Sequence, residues 1–389
     1  MGDLSRDEPA EAPETAAAPA DGQDSSADGQ DSSADESGPQ NPRRPTAEQT
    51  ARLSELLRAV EGTDRVYILT HDNPDPDGIA SSAALAFLLE GVAGKQTSVL
   101  FGGIVGRAEN RALMDELGIE FSRMETTELD PSALVALVDT QPRSGNNSLP
   151  EGRIANIVID HHPVTPASQA AAFVDIRPEY GACCSMMTEY LRIAKLEPDR
   201  RLATALFYGI QTETMDLGRE VSEADVSSSL FLYPRADPAA TSRIRHPSLP
   251  LALFHAIHYG LEHGWRREGV LCVPLGRLAY PDLGAQLADL FVRGVGVTWA
   301  AVAGRYGDQL LLSLRTFEPT AHAGELVREV VGERGSAGGH GTMAGAGLDV
   351  RTLSEAEYDA LLESLFSDLC AALGVASADS VPLIGKGEG

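Results

Sequence analysis

The chain has 389 residues, of which 57 are acidic and 31 are basic, so its formal net charge at pH 7 is −26. This charge argues against broad electrostatic binding to duplex DNA, because an acidic surface repels a polyanion. The sequence contains no run of about 18 apolar residues, so we expect no membrane span. The four cysteines show no CxxC spacing. We therefore expect a reduced, cytoplasmic protein.

Residues 1–44 are rich in small and acidic residues and contain almost no large apolar side chains. The heptapeptide GQDSSAD occurs twice in tandem, at residues 22–28 and 29–35. Such a segment cannot bury enough apolar surface to offset its conformational entropy, so we predict a disordered acidic tail over residues 1–44. The N-terminus lacks a basic start followed by an apolar segment, and we expect no secretory signal.

Short strands and helices alternate after this tail. Thr46 and Gln49 have the spacing of a capping box ahead of ARLSELLRAV. The sequence predicts strands over residues 66–70, 97–101, 134–139 and 156–160, each apolar on both faces. Strands of this kind, separated by helical patterns, indicate a parallel sheet that is covered on both faces. We assign residues 45–235 to this α/β domain.

The second half of the chain has a different texture. PRADPAATSRIRHPSLP contains four prolines, so we interpret residues 236–250 as a linker. Residues 251–375 predict a second, smaller α/β domain, in which two strands around RYGD form a hairpin-like pair. We interpret SAGGHGTMAGAG, at residues 336–347, as a glycine-rich turn before a terminal helix, and residues 376–389 as a flexible tail.

Acidic and histidine side chains follow three of the predicted strands at the point where each strand ends. In chain order they are His71, Asp75, Asp77, Asp139, Asp160, His161 and His162. The carboxyl ends of parallel strands meet at one edge of a sheet, where ligands bind. A single aspartate there would be explained equally well as a turn or helix cap. Three strand ends together predict a metal site.

This set of about seven ligands is too large for one tetrahedral zinc ion. It suits two divalent cations about 3.5–4 Å apart, a centre that stabilises both the attacking and the leaving oxygen in a displacement at phosphorus. The oxygen-rich donors favour Mn²⁺, with Mg²⁺ or Co²⁺ as alternatives. We therefore expect two divalent metal ions as cofactors.

Several of these segments resemble a known family. HDNPDPDGIASS, VDT and DHH at residues 160–162 are similar to successive motifs of the DHH phosphoesterase superfamily. SAGGHGTMAGAG, with SLR upstream at residues 313–315, resembles its DHHA1 domain. The combination is similar to the nanoRNase/pAp-phosphatase and RecJ-like branch, and it covers about residues 60–350. The resemblance implies a DHH domain and a DHHA1 domain with the active-site cleft between them.

The resemblance also implies how the metal ligands divide between the two ions. His71, Asp75 and Asp139 would hold one metal. Asp77, Asp139 and His161 would hold the second, so that Asp139 bridges the two.

The chain departs from the family pattern in two motifs. GIQTET, at residues 209–214, stands where the family has GIxTDT, so Glu213 replaces an aspartate ligand. This longer side chain would either ligate the second metal after adjustment or bind it more weakly, and Asp216 is an alternative ligand. The first motif has Pro76 where the family has glycine, and two serines at residues 81–82 where it has a Gly-Ser pair. We expect the loop to tolerate both changes.

Other residues are implied on the substrate side of the metals. Asp160 would orient an imidazole, and His162 would face a phosphate oxygen or the leaving group. Asn73 would either donate a hydrogen bond to that oxygen or simply stabilise a turn.

The second domain would supply groups for a terminal phosphate. The resemblance assigns this role to Arg315 and to the turn formed by Gly338, Gly339 and His340. Consecutive glycines let backbone N–H groups approach an anion, and arginine offers a bidentate fork. Three residues of the helix after the second strand either contact the substrate or are plain surface residues, and the sequence does not separate these two roles: Arg107, Asn110 and Arg111.

We therefore expect a two-metal phosphoesterase that hydrolyses short oligoribonucleotides, linear dinucleotides or 3′-phosphoadenosine 5′-phosphate. A RecJ-like single-strand exonuclease is one alternative, although it would need a basic groove. A non-hydrolytic nucleotide-sensing module is another, because Glu213 departs from the family pattern. We expect short RNA or nucleotides as partners, no duplex DNA and no membrane. The sequence leaves open whether the protein forms a homodimer.

Overall fold

The computed structural model describes residues 46–318 and 320–384. The predicted tail over residues 1–44 and the last five residues lie outside this part of the chain. Within it, no helix has both the length and the apolar composition needed to cross a membrane.

The first domain is built on a six-stranded sheet with the order β3-β2-β1-β4-β5-β6, in which every neighbouring pair is parallel. The strands are β1 Arg65–Leu69, β2 Gln96–Phe101, β3 Ser122–Arg123, β4 Leu134–Val138, β5 Ile157–Asp160 and β6 Phe173–Ile176. The four predicted strands are confirmed to within about one residue at each end. The sequence did not predict the edge strands β3 and β6. Strand β3 has only two residues, and β6 alternates buried and more exposed residues instead of being apolar on both faces.

Seven helices accompany this sheet in the described part of the chain. They are α1 Ala47–Ala59, α2 Pro76–Ala93, α3 Ala108–Leu117, α4 Cys183–Ala194, α5 Arg200–Glu213, α6 Glu223–Leu232 and α7 Pro238–Arg245. The capping box at Thr46 and Gln49 is confirmed at the start of α1. Successive strand residues point to opposite faces of a sheet. Accordingly, Val66 and Ile68 join the main core with α2, α4 and α5, whereas Tyr67 packs in a smaller core on the other face.

Helix α7 forms within the stretch that is predicted to be a linker. The side chain of Asp237 accepts hydrogen bonds from the backbone N–H groups of Ala239 and Ala240, and Pro238 occupies the first turn. An aspartate followed by proline is a helix-start signal. The prolines of this stretch therefore start a helix as well as interrupting the chain. The domain boundary itself stays a prediction.

The second domain contains a seven-stranded sheet with the order β11-β12-β10-β9-β8-β7-β13. Its strands are β7 Trp265–Arg267, β8 Val270–Arg277, β9 Trp299–Tyr306, β10 Gln309–Thr316, β11 Ser336–His340, β12 Met343–Asp349 and β13 Val381–Pro382. Its helices are α8 Leu251–His263, α9 Leu283–Phe291, α10 Ala323–Val331 and α11 Glu355–Ala372. Only β8 and β9 pair in parallel. The hairpin of β9 and β10 around RYGD is confirmed.

The prediction of a glycine-rich turn over residues 336–347 is wrong. This stretch forms the β11–β12 hairpin, whose register pairs Gly339 with Ala344. At Gly339 a glycine is needed because other backbone lies close. A Cβ on Gly324 would lie 2.0 Å from the carbonyl oxygen of Gly339, and one on Gly339 would lie 2.3 Å from that of Met343. Glycine inside a strand commonly marks such a close approach.

Candidate metal centre

Asp139 lies at the carboxyl edge of the first sheet, directly after β4. Strands β1, β4 and β5 end there, and the connection reverses direction across the sheet between β1 and β4. This is the position where parallel sheets bind ligands. Asp139 has a φ of 59°, a left-handed conformation that aspartate tolerates better than most residues. Its side chain is almost completely buried.

The two carboxylate oxygens of Asp139 face two different histidine–aspartate pairs. Oδ2 lies 3.6 Å from Nε2 of His71, which lies 3.6 Å from Oδ1 of Asp75. Oδ1 lies 3.5 Å from Nε2 of His161, which lies 3.8 Å from Oδ2 of Asp77. One buried carboxylate thus stands between two sets of donors, the arrangement needed for a ligand that bridges two cations.

The histidine orientations fit metal binding as well. Nδ1 of His71 lies 3.0 Å from the carbonyl oxygen of Asp72. Nδ1 of His161 lies 3.2 Å from that of Tyr180. A proton on each Nδ1 leaves the Nε2 lone pairs directed at the carboxylates, as metal-bound histidines require. Oδ1 of Asp139 is buried with no hydrogen-bond partner among the described residues, and a cation would satisfy it. The donor set therefore fits divalent metal ions.

Asp77 has a structural role that the sequence did not reveal. Its Oδ2 accepts a hydrogen bond of 2.8 Å from the backbone N–H of Cys183, and its Oδ1 accepts one of 2.7 Å from that of Cys184. Helix α4 has no side-chain cap at Ala182, so Asp77 satisfies the first N–H groups of this helix. Each oxygen retains a further lone pair for a metal.

Negative charge is crowded in this centre. Burial, followed by the charges of Asp77 and Asp75, raises the pKa of Asp139 well above its ordinary value. Burial, followed by the charge of Asp75, also raises the pKa of Glu213. Burial lowers the pKa of His71, but the hydrogen bond and charge of Asp75 outweigh it, and this pKa rises to about 9. Metal binding at this centre must therefore displace protons.

Glu213, the last residue of α5, lines the same small cavity. This cavity has a volume of about 120 Å³, and its lining residues are His71, Asp75, Asp139, Asn146, His161, His162 and Glu213. Asp216, the alternative ligand, instead pairs with Arg245 at 2.9 Å and is 58% exposed. The structure therefore places Glu213 with the predicted ligands and Asp216 apart from them. Asn146 was missed, because its sequence context contains no metal-ligand pattern.

The side chain of Asp160 lies against His162, the residue that it is predicted to orient. Its Oδ1 lies 2.9 Å from Nδ1 of His162 and accepts a 2.9 Å hydrogen bond from the backbone N–H of His161, while Oδ2 accepts one of 2.6 Å from the side chain of Gln141. Burial raises the pKa of Asp160, but the hydrogen bond from His162 outweighs it, and the pKa is lowered. Burial lowers the pKa of His162, but the hydrogen bond and charge of Asp160 outweigh it, and the pKa is raised.

Asn73 takes part in a turn. It has a φ of 56°. Its side-chain oxygen accepts a 3.0 Å hydrogen bond from the backbone N–H of Ile104, which ties the first motif to the loop after β2. Its contact with substrate stays a prediction.

Arg315, the arginine predicted to bind a terminal phosphate, shares its carboxylate partner with a second arginine. Nε of Arg315 donates to Oδ1 of Asp289 at 2.6 Å, and Nη2 of Arg107 donates to Oδ2 at 3.3 Å. The other two predicted substrate contacts, Asn110 and Arg111, donate hydrogen bonds to backbone carbonyls. Asn110 donates to a carbonyl of the first-motif loop, and Arg111 donates to carbonyls of the loop after β2.

The glycines predicted to bind phosphate lie in β11. A Cβ on Gly338 would meet no atom within 4 Å, so there is open space beside this residue. Gly339 has a φ of 149° that excludes other residues. The side chain of His340 lies outside the described part of the structure, and its role stays a prediction.

The fold and the cluster together define an α/β protein with a candidate two-metal centre. Residues 65–210 match the model of the DHH family, N-terminal domain, so this segment is similar to that family. An uncharacterized protein of Methanocaldococcus jannaschii is 34% identical over 283 residues, which are 72% of this chain and 57% of that protein. The bifunctional oligoribonuclease and PAP phosphatase NrnA of Thermus thermophilus is 30% identical over 169 residues, 43% of this chain and 48% of that one.

The chain thus spans about half the length of these curated relatives. Among solved structures, an exopolyphosphatase-related protein from Bacteroides fragilis superposes with a TM-score of 0.56 at 13% identity, covering 83% of this chain and 98% of that one. At this level of identity the likeness supports the fold alone.

Proposed function

We propose that this protein is a metal-dependent phosphoesterase that acts on short oligoribonucleotides or small nucleotides, such as linear dinucleotides and 3′-phosphoadenosine 5′-phosphate. The observation that carries this proposal is the buried carboxylate of Asp139 between two histidine–aspartate pairs. The substrate class is supported by the similarity to an oligoribonuclease and PAP phosphatase, of which the aligned segment is 48%.

Two divalent cations fit the donor set. The first would be held by His71, Asp75 and Asp139, and the second by Asp77, Asp139, His161 and Glu213. Mn²⁺ suits these mixed carboxylate and imidazole ligands best, with Mg²⁺ or Co²⁺ as alternatives. Bound ions supply positive charge to the attacking and leaving oxygens of a displacement at phosphorus.

Residues of the chain would supply the remaining chemistry. His162 lines the cavity, and the hydrogen bond and charge of Asp160 raise its pKa against the effect of burial, so the imidazole keeps its proton to a higher pH than an ordinary histidine. This proton is available for the leaving oxygen. Asp160 holds the ring in the required orientation through Nδ1. Arg315 would bind the far phosphate as a bidentate donor.

The dimensions of the site favour small substrates. A cavity of about 120 Å³ is smaller than the roughly 300–1,000 Å³ of pockets that bury a whole drug-sized ligand. It accommodates a phosphoryl group, and the nucleoside would lie in the cleft towards the second domain. The net charge of −26 further disfavours long polyanionic strands.

A substrate panel tests this proposal. The full chain would be incubated with Mn²⁺ and 5′-labelled RNA ranging from dinucleotides to long strands, and also with 3′-phosphoadenosine 5′-phosphate, linear diadenylate and pyrophosphate. We expect wild-type protein to release mononucleotides or phosphate from the short substrates. Asp139→Ala should be inactive, whereas Asp216→Ala should retain activity.

Each competing function gives a different result in the same assay. Degradation of long strands in preference to dinucleotides would indicate a RecJ-like exonuclease. Tight nucleotide binding without turnover of any phosphoester would indicate a sensing module and would refute the proposal.

A further inference from the structure

The side chain of Cys183 lies at the metal centre, although the ligand set described above does not include it. Its Sγ, one carboxylate oxygen of Asp77 and one of Asp139 all lie within 4.8 Å of one another. Atoms bound to one ion at about 2.0–2.3 Å lie at most about 4.5 Å apart. The three atoms are therefore spaced almost as closely as the ligands of a single ion.

The first turn of α4 directs this thiol towards the carboxylates. The backbone N–H of Cys183 donates to Oδ2 of Asp77 at 2.8 Å. Its Sγ lies 4.0 Å from the carbonyl oxygen of Ile159 and 4.0 Å from Oδ1 of Asp160, and both distances are long for the weak donor that a thiol is. The residue is fully buried. The thiol thus lies among oxygen atoms without a close partner among the described residues.

The neighbouring cysteine points elsewhere. The Sγ of Cys184 lies 3.6 Å from the backbone carbonyl oxygen of Asp77, and a Cβ on Gly209 of α5 would lie 2.5 Å from this sulfur. Cys184 therefore packs between α2 and α5. The other two cysteines belong to the core of the second domain. Of the four cysteines, all within the described part of the chain, Cys183 alone has its sulfur in a group of possible metal ligands.

The carboxylate beside this thiol needs a cation. Asp139 is 3% exposed and its Oδ1 lies 3.5 Å from Nε2 of His161. This oxygen is buried and has no hydrogen-bond partner among the described residues. An ion that satisfies it, and that is held by Asp77 and His161 as well, would meet the sulfur of Cys183 as a further donor.

We propose that the thiolate of Cys183 is an additional ligand of the second metal ion, and that it shifts this site towards softer cations such as Co²⁺ and Zn²⁺. On binding, the S–H bond breaks, a metal–sulfur bond forms and the proton goes to solvent. Carboxylate oxygens suit Mn²⁺ and Mg²⁺, whereas thiolate selects softer metals. The inference rests on the two-metal centre of the proposed function. It implies that the first site, held by His71, Asp75 and Asp139, keeps a preference for harder ions.

Absorption spectroscopy of the Co²⁺-loaded protein tests this ligand without relying on turnover. A thiolate bound to Co²⁺ gives a charge-transfer band in the near ultraviolet, which carboxylate and imidazole ligands do not give. Full-length protein, stripped of metal with EDTA and desalted, would be titrated with CoCl₂. We expect the wild type to develop this band and Cys183→Ser to lose it. Cys184→Ser is the matched control and should keep the band, because that sulfur packs between α2 and α5.

Competition between metals measures the shift in preference. Cys183→Ser should weaken Co²⁺ binding at one site by at least about tenfold. Its affinity for Mg²⁺ should be nearly unchanged, because Mg²⁺ takes oxygen ligands. Cys183→Ala should show the same loss of Co²⁺ affinity. Both variants retain the backbone N–H that Asp77 accepts, so α4 keeps its cap, and a thermal melt establishes that each is folded.

The outcomes separate this ligand from the proposed function. Co²⁺ binding by the wild type without the charge-transfer band, or a band that folded Cys183→Ser retains, would overturn the ligand alone and make Cys183 a packed core residue. Failure of the wild type to bind Co²⁺ would overturn the two-metal centre and with it both proposals. A wild-type protein that shows the band but hydrolyses nothing in the substrate panel would support the ligand and refute the proposed function.

Discussion

Replacing Asp139 by asparagine should make the metal-free protein more stable and the metal-bound protein less stable. The carboxylate is buried, its Oδ1 has no hydrogen-bond partner among the described residues, and burial and neighbouring carboxylates raise its pKa. Asparagine has the same shape without the charge. It also adopts left-handed backbone conformations readily, so the φ of 59° adds no strain.

The expected magnitudes follow from these contacts. Removing a buried carboxylate that Asp77 and Asp75 repel should raise the free energy of unfolding of the metal-free protein by about 1–2 kcal/mol. A metal ion at 100 times its Kd stabilises the folded state by about 2.7 kcal/mol per site. Asp139 would serve both sites, so its replacement should remove most of the stabilisation by Mn²⁺.

The effect in the metal-free protein should depend on pH with a definite sign. The pKa of Asp139 in the folded state lies above its ordinary value of 3.8, so the folded state binds more protons than the unfolded state between these two values. The free energy of unfolding of the wild type therefore falls as pH rises through this window. Asp139→Asn lacks this loss, so its advantage should be near zero in acid and largest at neutral pH.

Asp160→Asn provides a matched control with the opposite sign. The side chain of Asp160 pairs with three donors, and its pKa is lowered. Its replacement should cost about 2–4 kcal/mol, because hydrogen bonds to a charged group are lost. Both variants would be unfolded in urea, with EDTA or with Mn²⁺. An Asp139→Asn protein that is less stable than wild type in EDTA, or that keeps the full Mn²⁺ stabilisation, would refute the reasoning.

Three other substitutions test further parts of the structure. Gly339→Ala should cost at least about 2 kcal/mol in urea unfolding, because its φ is 149° and the new Cβ would strike backbone; Gly338→Ala, with open space around it, should be nearly neutral, and similar losses for both would contradict the close-approach argument. Arg177→Gln should cost about 3–5 kcal/mol, because it removes a cation that pairs with two carboxylates, Asp175 and Glu189, away from solvent, whereas loss of the 66%-exposed Arg351 should cost under about 1 kcal/mol; equal costs would contradict this dependence on burial. Glu213→Gln should reduce bound Mn²⁺ from two ions to one in metal analysis of the desalted, folded protein, and an unchanged stoichiometry would exclude Glu213 as an essential ligand.

Much of the candidate site could be predicted because the carboxyl ends of parallel strands all lie at one edge of their sheet. Any residue that follows the carboxyl end of β1, β4 or β5 arrives at the same edge of the sheet. His71, Asp139 and His161 could therefore be grouped from strand ends and the family resemblance. The prediction of Glu213 needed the family motif in addition, since this residue arrives from the end of a helix.

The sequence could not reveal contacts between segments that lie far apart in the chain. Asp77 caps α4 by accepting a hydrogen bond from Cys183, which is 106 residues away in the chain. A residue predicted only as a metal ligand therefore also stabilises the N-terminus of a helix. The glycines of β11 matched a turn pattern, because composition does not show that α10 passes close to their backbone. Helix α7 was missed for a different reason, because proline both interrupts helices and occupies their first turn, as Pro238 does here.

The sequence by itself determined the parallel sheet of the first domain and the presence of an acidic and histidine cluster at its edge, because apolar periodicity and strand polarity are local properties. The tertiary structure decided which oxygen of Asp139 faces which histidine. It also decided that Arg107 and Arg315 meet at Asp289. Those contacts depend on how loops from separate strands, and then two domains, dock against one another, and no local pattern encodes that docking.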